Sequence, residues 1–273
     1  MISKTRKATT QKTIRGGVLS PNAGIASDYY KRIRQLIERL AKDARKELKA
    51  AYTSDAAMDD SPVSQSRIAI NRLLKKWNPI FAEWAKTYTD KMIERTLKNT
   101  SFTLGQSLRE MSQELTINTD LIDGPLREII KASTEEAANL IRLIPQQFLG
   151  RVQGAVMRSI TSGNGMQDLI PTMNKFYHQQ VRHARNVAYD QTRKAYNNIN
   201  AGKMKSLGVK KFEWVHSAGG QHPRKLHQEL NGKVFDLDDP PYIGEMYGEA
   251  VYGKPGDLPN CKCTMRPIIS FED

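Results

Sequence analysis

The residues best equipped for chemistry gather near the end of the chain, between Phe212 and Pro267. Three of the five histidines, His216, His222 and His227, fall there, together with both cysteines, Cys261 and Cys263. On an extended segment residues i and i+2 point to the same side, so the two thiols can face one ion. A disulfide across a single intervening residue is strained, and a cytosolic chain keeps its thiols reduced, which leaves metal binding or simple burial. Zinc takes four ligands from thiolate and imidazole. His227, Cys261 and Cys263 supply three, and His222, or else His216, the fourth. Against this, Cys-x-Cys is a rarer zinc pair than Cys-x-x-Cys. The alternative is a strand with two small buried residues and histidines in surface loops.

A turn-rich β module has to position these groups. Phe212, Trp214 and His216 alternate with Glu213 and Val215, the pattern of a half-buried strand, and Ser217 to Gly220 ends it. Asn231-Gly232 is the strongest hairpin signal in the chain, with Lys233 to Phe235 as the returning strand. The Pro-, Gly- and acid-rich stretch from Asp236 to Asn260 is expected to be a long ordered loop. Cys263 to Ile269 is expected to close the module as a last strand.

An ordered string of motifs runs through the same part of the chain: Tyr189-Asp-Gln-Thr-Arg-Lys194, Leu207-Gly-Val209, Trp214, Pro223-Arg224, His227, Gly232 to Phe235, Pro255-Gly256 and Asn260-Cys-Lys-Cys263. In order and spacing it resembles the phage head morphogenesis family, the Mu F-like minor head proteins, over roughly Leu143 to Pro267. The resemblance implies a minor structural protein of a tailed phage, present in few copies, associated with the portal and needed for an infectious head. It gives Asp190, Thr192, Lys194, Trp214, Arg224 and Gly232 a structural part, with Asp190 and Thr192 expected to anchor their helix to the β module. Implied partners are the portal protein, the major capsid or scaffolding protein and double-stranded DNA bound without sequence preference. The implied location is the interior of the virion head, with the host cytoplasm during assembly. Many relatives carry an Asp after the strand where this chain has Gly219 and Gly220, which weakens any role resting on that carboxylate.

Length and charge are compatible with this. A chain of 273 residues can bury one large or two modest cores. Its net charge of +13 favours polyanionic company, or else solubilises helix faces. No run approaches the roughly 20 apolar residues needed to cross a bilayer, and the start lacks the apolar region of a secretory signal. Residues 1–27 contain Lys4, Arg6, Lys7, Lys12 and Arg15 without an acid until Asp28. They read as a flexible basic arm, able to meet DNA phosphates or simply a disordered terminus.

Residues 28–122 read as an N-terminal helical region. Tyr29, Ile33, Leu36, Ile37, Leu40, Ala44 and Leu48 form one apolar stripe. After a polar break at Ser54 to Ser61, Ile70 to Trp77 start a second helix. Asn78-Pro79 reads as a cap with Pro at the first position of a third. That third helix would turn Phe81, Trp84, Tyr88 and Met92 inward as core. Residues 123–208 form a central helical region, opened by Asp123-Gly-Pro125 and interrupted at Ser162-Gly-Asn-Gly165, which serves as a connector. Residues 209–273 are the β module. The fold class expected is α+β, predominantly helical over the N-terminal two-thirds with a small turn-rich β module at the C-terminus.

No nucleophile elbow, Walker loop, His-Glu-x-x-His or dinucleotide fingerprint occurs. The sharpest enzymatic alternative is a metal-dependent nuclease or other DNA-processing enzyme using metal at His227 with Arg224 nearby. It lacks an obvious general base. A DNA-binding module without catalysis fits the charge alone.

Overall fold

The computed structural model describes residues 12–53, 62–111, 118–217, 219–220 and 222–271. The fold is α+β: five long helices are followed by small antiparallel sheets. The described chain divides into two compact units, each discontinuous in sequence. One comprises residues 23–95 and 131–192, and the other residues 1–22, 96–130 and 193–273.

The first unit is helical. Helix α1 spans Ala23–Thr53 and α2 spans Pro62–Met111. The apolar stripe read from the sequence of α1 is fully buried, from Tyr29 to Leu48. Ties between the two helices run in antiparallel order, with Glu47 to Arg72 at 3.2 Å, Asp43 to Lys76 at 2.8 Å and Asp28 to Arg95 at 3.0 Å. Tyr29 and Thr89 share a buried hydrogen bond of 2.7 Å. The break expected at Asn78-Pro79 is absent: α2 continues through Pro79. A proline inside a helix forfeits one backbone hydrogen bond, a cost of about 3 kcal/mol. Packing on both sides of the site offsets it: Trp77 and Phe81 are both buried, and the Trp77 indole N–H donates to Asp43 at 2.8 Å.

The expected aromatic core is realised only in part. Phe81 and Met92 are buried, but Trp84 and Tyr88 are half-buried and stack on each other at 4.7 Å. Phe81, Ala85, Thr89 and Met92 form the buried stripe of this part of α2. Trp84 and Tyr88 lie one position off that stripe.

Helices α3 (Gly124–Arg142), α4 (Ile144–Thr161) and α5 (Met166–Ser206) follow. Asp123 caps α3 as its position predicts, accepting from the Leu126 N–H at 2.8 Å.

The second unit holds the chemistry. Strands β1 (Lys12–Arg15), β2 (Lys211–Val215), β3 (Val234–Asp236) and β6 (Thr264–Phe271) form one antiparallel sheet in the order β1-β6-β2-β3. Against the expectation of a flexible arm over 1–27, Lys12–Arg15 is the edge strand of this sheet, and α1 begins at Ala23. Arg15 pairs at 3.3 Å with the buried Glu213, which also meets Arg266 at 3.2 Å. The Arg15 side chain itself stays more than half exposed. Lys4, Arg6 and Lys7 lie outside the described residues.

Two turn assignments change. Asn231-Gly232 links the short helix α6 (Lys225–Glu229) to β3 rather than joining two strands directly. Gly232 has a φ of +77°, and its N–H donates to the Trp214 carbonyl at 2.8 Å. The stretch expected as loop contains a two-stranded hairpin, β4 (Tyr242–Met246) with β5 (Glu249–Tyr252). Its turn is Tyr247-Gly248, both at positive φ, 56° and 84°. A core of Leu104, Leu108, Tyr196, Met204, Phe212 and Trp214 packs under the sheets and includes both cysteines.

Candidate metal centre

Two segments converge to build the site. His227 projects from α6, while Cys261 and Cys263 sit on the extended segment that becomes β6. All three are about 3% exposed. Their ligand atoms lie within 4.8 Å of one another. The Nδ1 atom of His227 is 3.5 Å from the Cys261 sulfur and 3.7 Å from the Cys263 sulfur. Tetrahedral zinc, with Zn–N near 2.0 Å and Zn–S near 2.3 Å, spaces its nitrogen and sulfur donors about 3.5 Å apart.

The surroundings prepare these atoms. His227 Nε2 lies 3.0 Å from the carbonyl oxygen of Ile243. A carbonyl can only accept, so Nε2 carries the proton and Nδ1 turns its lone pair toward the sulfurs. The Trp214 ring packs edge-on against the imidazole at 5.1 Å. The Gly256 N–H donates to the Cys261 sulfur at 3.4 Å. Hydrogen bonding from the Cys263 thiol is the largest influence on Cys261 and holds it down to about 4; burial opposes this, and the backbone N–H groups of Gly256 and Cys263 assist. The same bond pushes the Cys263 thiol up, reinforced by burial and by the charge on Cys261. One thiolate is therefore favoured, and a cation shared by both sulfurs would favour two.

The buried indole N–H of Trp214 tests the fit. It has no regular hydrogen-bond partner, yet it lowers the Cys263 thiol. A metal-bound thiolate at Cys263 would give it a charged acceptor. The donor set, its spacing and the hydrogen bonds to Ile243 and Gly256 all suit a soft divalent metal.

His222, expected as fourth ligand, is not brought into this set. It is exposed and lines a small cleft of about 50 Å³ that reaches all three ligand residues and also touches His216, Arg224 and Lys262. Arg224 instead ties the start of α6 to the cysteine segment, donating to the Pro259 carbonyl at 3.0 Å. Thr192 donates to the Ala188 carbonyl of its own helix at 2.7 Å. Asp190 and Lys194 lie on the same helix and are partly exposed.

Several contributors escaped sequence reasoning. Asn197, on α5, donates to the Cys263 carbonyl at 3.2 Å and lies 3.4 Å from the Thr264 hydroxyl. Gly256 has a φ of +93°, and a Cβ there would come within 2.7 Å of the Asn197 amide nitrogen. The Ile243 carbonyl carries no sequence signal, because every residue has one. Pro255-Gly256 did stand in the motif string, and its positive φ explains the glycine.

Glu229 follows His227 by two residues, the spacing used by zinc deaminases with their catalytic Glu. Here it is exposed and does not line the cleft. No described carboxylate lines it.

Two curated proteins are similar to the chain. One is an uncharacterized protein of Haemophilus influenzae, 24% identical over 245 residues, covering 88% of this chain and 52% of that protein. The other, from Enterococcus faecalis, is named NAD(+)--arginine ADP-ribosyltransferase EFV and is 26% identical over 214 residues, covering 73% of this chain and 42% of that protein. The chain thus spans about half the length of the curated relatives it matches. No solved structure matches it. Residues 150–266 match the family described as Phage Mu protein F like protein. That segment includes most of α4, all of α5 and α6, every metal-donor residue and strands β2 to β5, so the part of the chain that builds the site is Phage Mu protein F-like.

Proposed function

We propose that this chain is a minor structural protein of a tailed-phage head, present in few copies, associated with the portal and needed to make infectious particles. The observation that carries the reading is the coincidence of the Mu F-like match with the segment that builds the buried centre. Portal protein, major capsid or scaffolding protein, and double-stranded DNA bound without sequence preference are the proposed partners. The net charge of +13 supports the last of these. The described helices include none long and apolar enough to cross a membrane.

Zinc is the proposed metal, held by His227, Cys261 and Cys263. Its part is to pin α6, the β4–β5 hairpin and the start of β6 together in a module with a small core. A structural role is favoured because all three donor residues are buried and come from segments that a metal would hold together. The transferase activity in the Enterococcus protein's name belongs to that protein, of which this chain covers 42%.

The experiment is deletion of the gene from the phage or prophage that encodes it, with complementation in trans. Heads should still assemble while infectious titre collapses, and the wild-type gene should restore it. An unchanged titre would overturn the proposal.

A further inference from the structure

The cluster supplies three donors to a metal that prefers four. The cleft of about 50 Å³ touching all three ligand residues is large enough for one or two small molecules. Its lining carries the cations Arg224 and Lys262 beside His216 and His222, and no described Asp or Glu contributes. The hydrogen bonds of Arg224 and Lys262 go to neutral carbonyls, those of Pro259 and Gly219, so neither charge is neutralised there. A divalent metal with two thiolates is itself neutral and does not repel an anion.

We infer that the fourth coordination place is filled from outside the chain by an oxyanion of the phosphate type, drawn in by Arg224 and Lys262. This rests on the zinc reading above and extends it. His216 and His222 line the approach without ligating. A centre of this kind would be able to join the module to a phosphate-bearing partner, with the metal and the two cations sharing its charge.

The test uses the full chain loaded with Co²⁺ in place of zinc. Thiolate-bound tetrahedral cobalt has strong visible and near-ultraviolet bands that report its ligands. Titration with inorganic phosphate at constant ionic strength should shift these bands saturably. Arg224→Gln and Lys262→Gln, each confirmed as folded by its melting curve, should each weaken phosphate about tenfold, the loss expected for a charged hydrogen bond. His216→Ala and His222→Ala should leave the phosphate-free spectrum unchanged. A 5′-phosphorylated dinucleotide that reproduces the shift where acetate does not would assign the anion to a nucleic-acid source; acetate acting equally would assign it to a carboxylate and overturn the phosphate choice. A spectrum altered by either histidine change, or one indifferent to phosphate, would overturn the inference while leaving the metal in place. Absence of cobalt bands would remove metal and anion together. The head-protein reading is scored on particles and is untouched by each result.

Discussion

Cys261 and Cys263 can share an ion because they are two apart on extended chain, and that much was legible from their spacing. What spacing could not give is the ring orientation and tautomer of the third partner. The Ile243 carbonyl fixes both by holding the proton on His227 Nε2. Replacing both cysteines with Ser should remove bound metal and make the melting curve insensitive to chelator, whereas the parent's Tm should fall on chelation. Identical curves for the parent with and without chelator would take metal out of the account. A second group at this scale is Lys203, which is 2% exposed and bonded to the Ser101 hydroxyl and, at 2.8 Å, to the Thr119 carbonyl. Burial lowers its pKa to about 8. The unfolded chain therefore binds more protons than the folded one between about pH 8 and pH 10.4, so Lys203 makes stability rise with pH across that window. Lys203→Met should flatten the rise measured between pH 8 and 10; an unaltered slope would assign it to other groups.

At the scale of elements, the sequence signals that succeeded were those with one physical meaning. The α1 stripe and the Asp123 cap each admit a single helical reading. Those that failed were open to tertiary override. Asn231-Gly232 carries the residues of a tight hairpin, but α6 intervenes between the paired strands and the glycine instead turns the chain into β3, its N–H donating to the Trp214 carbonyl of β2. Pro79 reads as a helix start, yet α2 continues because Trp77 and Phe81 pack on either side of it. The β4–β5 hairpin was missed because its turn puts Tyr247 at a φ of 56°, and tyrosine is not a turn signal. Gly248 at 84° is the residue the turn requires. Gly248→Ala should destabilise the fold by about 1 kcal/mol, read as a lower urea midpoint at unchanged slope. Through Ile243, which lies on β4, the same change should weaken metal affinity. Unchanged metal binding alongside the lower midpoint would show that the hairpin does not position His227.

The whole molecule was legible as a class, helices first and a β module last, but not as two units interleaved in sequence. Residues 12–27 illustrate why. Their composition is that of an arm, yet β6 offers Lys12–Arg15 a paired edge, and Glu213 takes up the Arg15 charge. No local pattern announces a partner more than 200 residues away. The same limit applies outside the chain, since a surface that docks on a portal has no fixed residue signature. The measurement that tests the account most directly is quantitative mass spectrometry of purified particles from the system that encodes this chain, with portal and major shell protein as internal standards. The account predicts a few copies per particle, far below the shell protein and comparable with or below the portal. Absence from heads at every assembly stage, with the chain abundant in the infected cell, would contradict it.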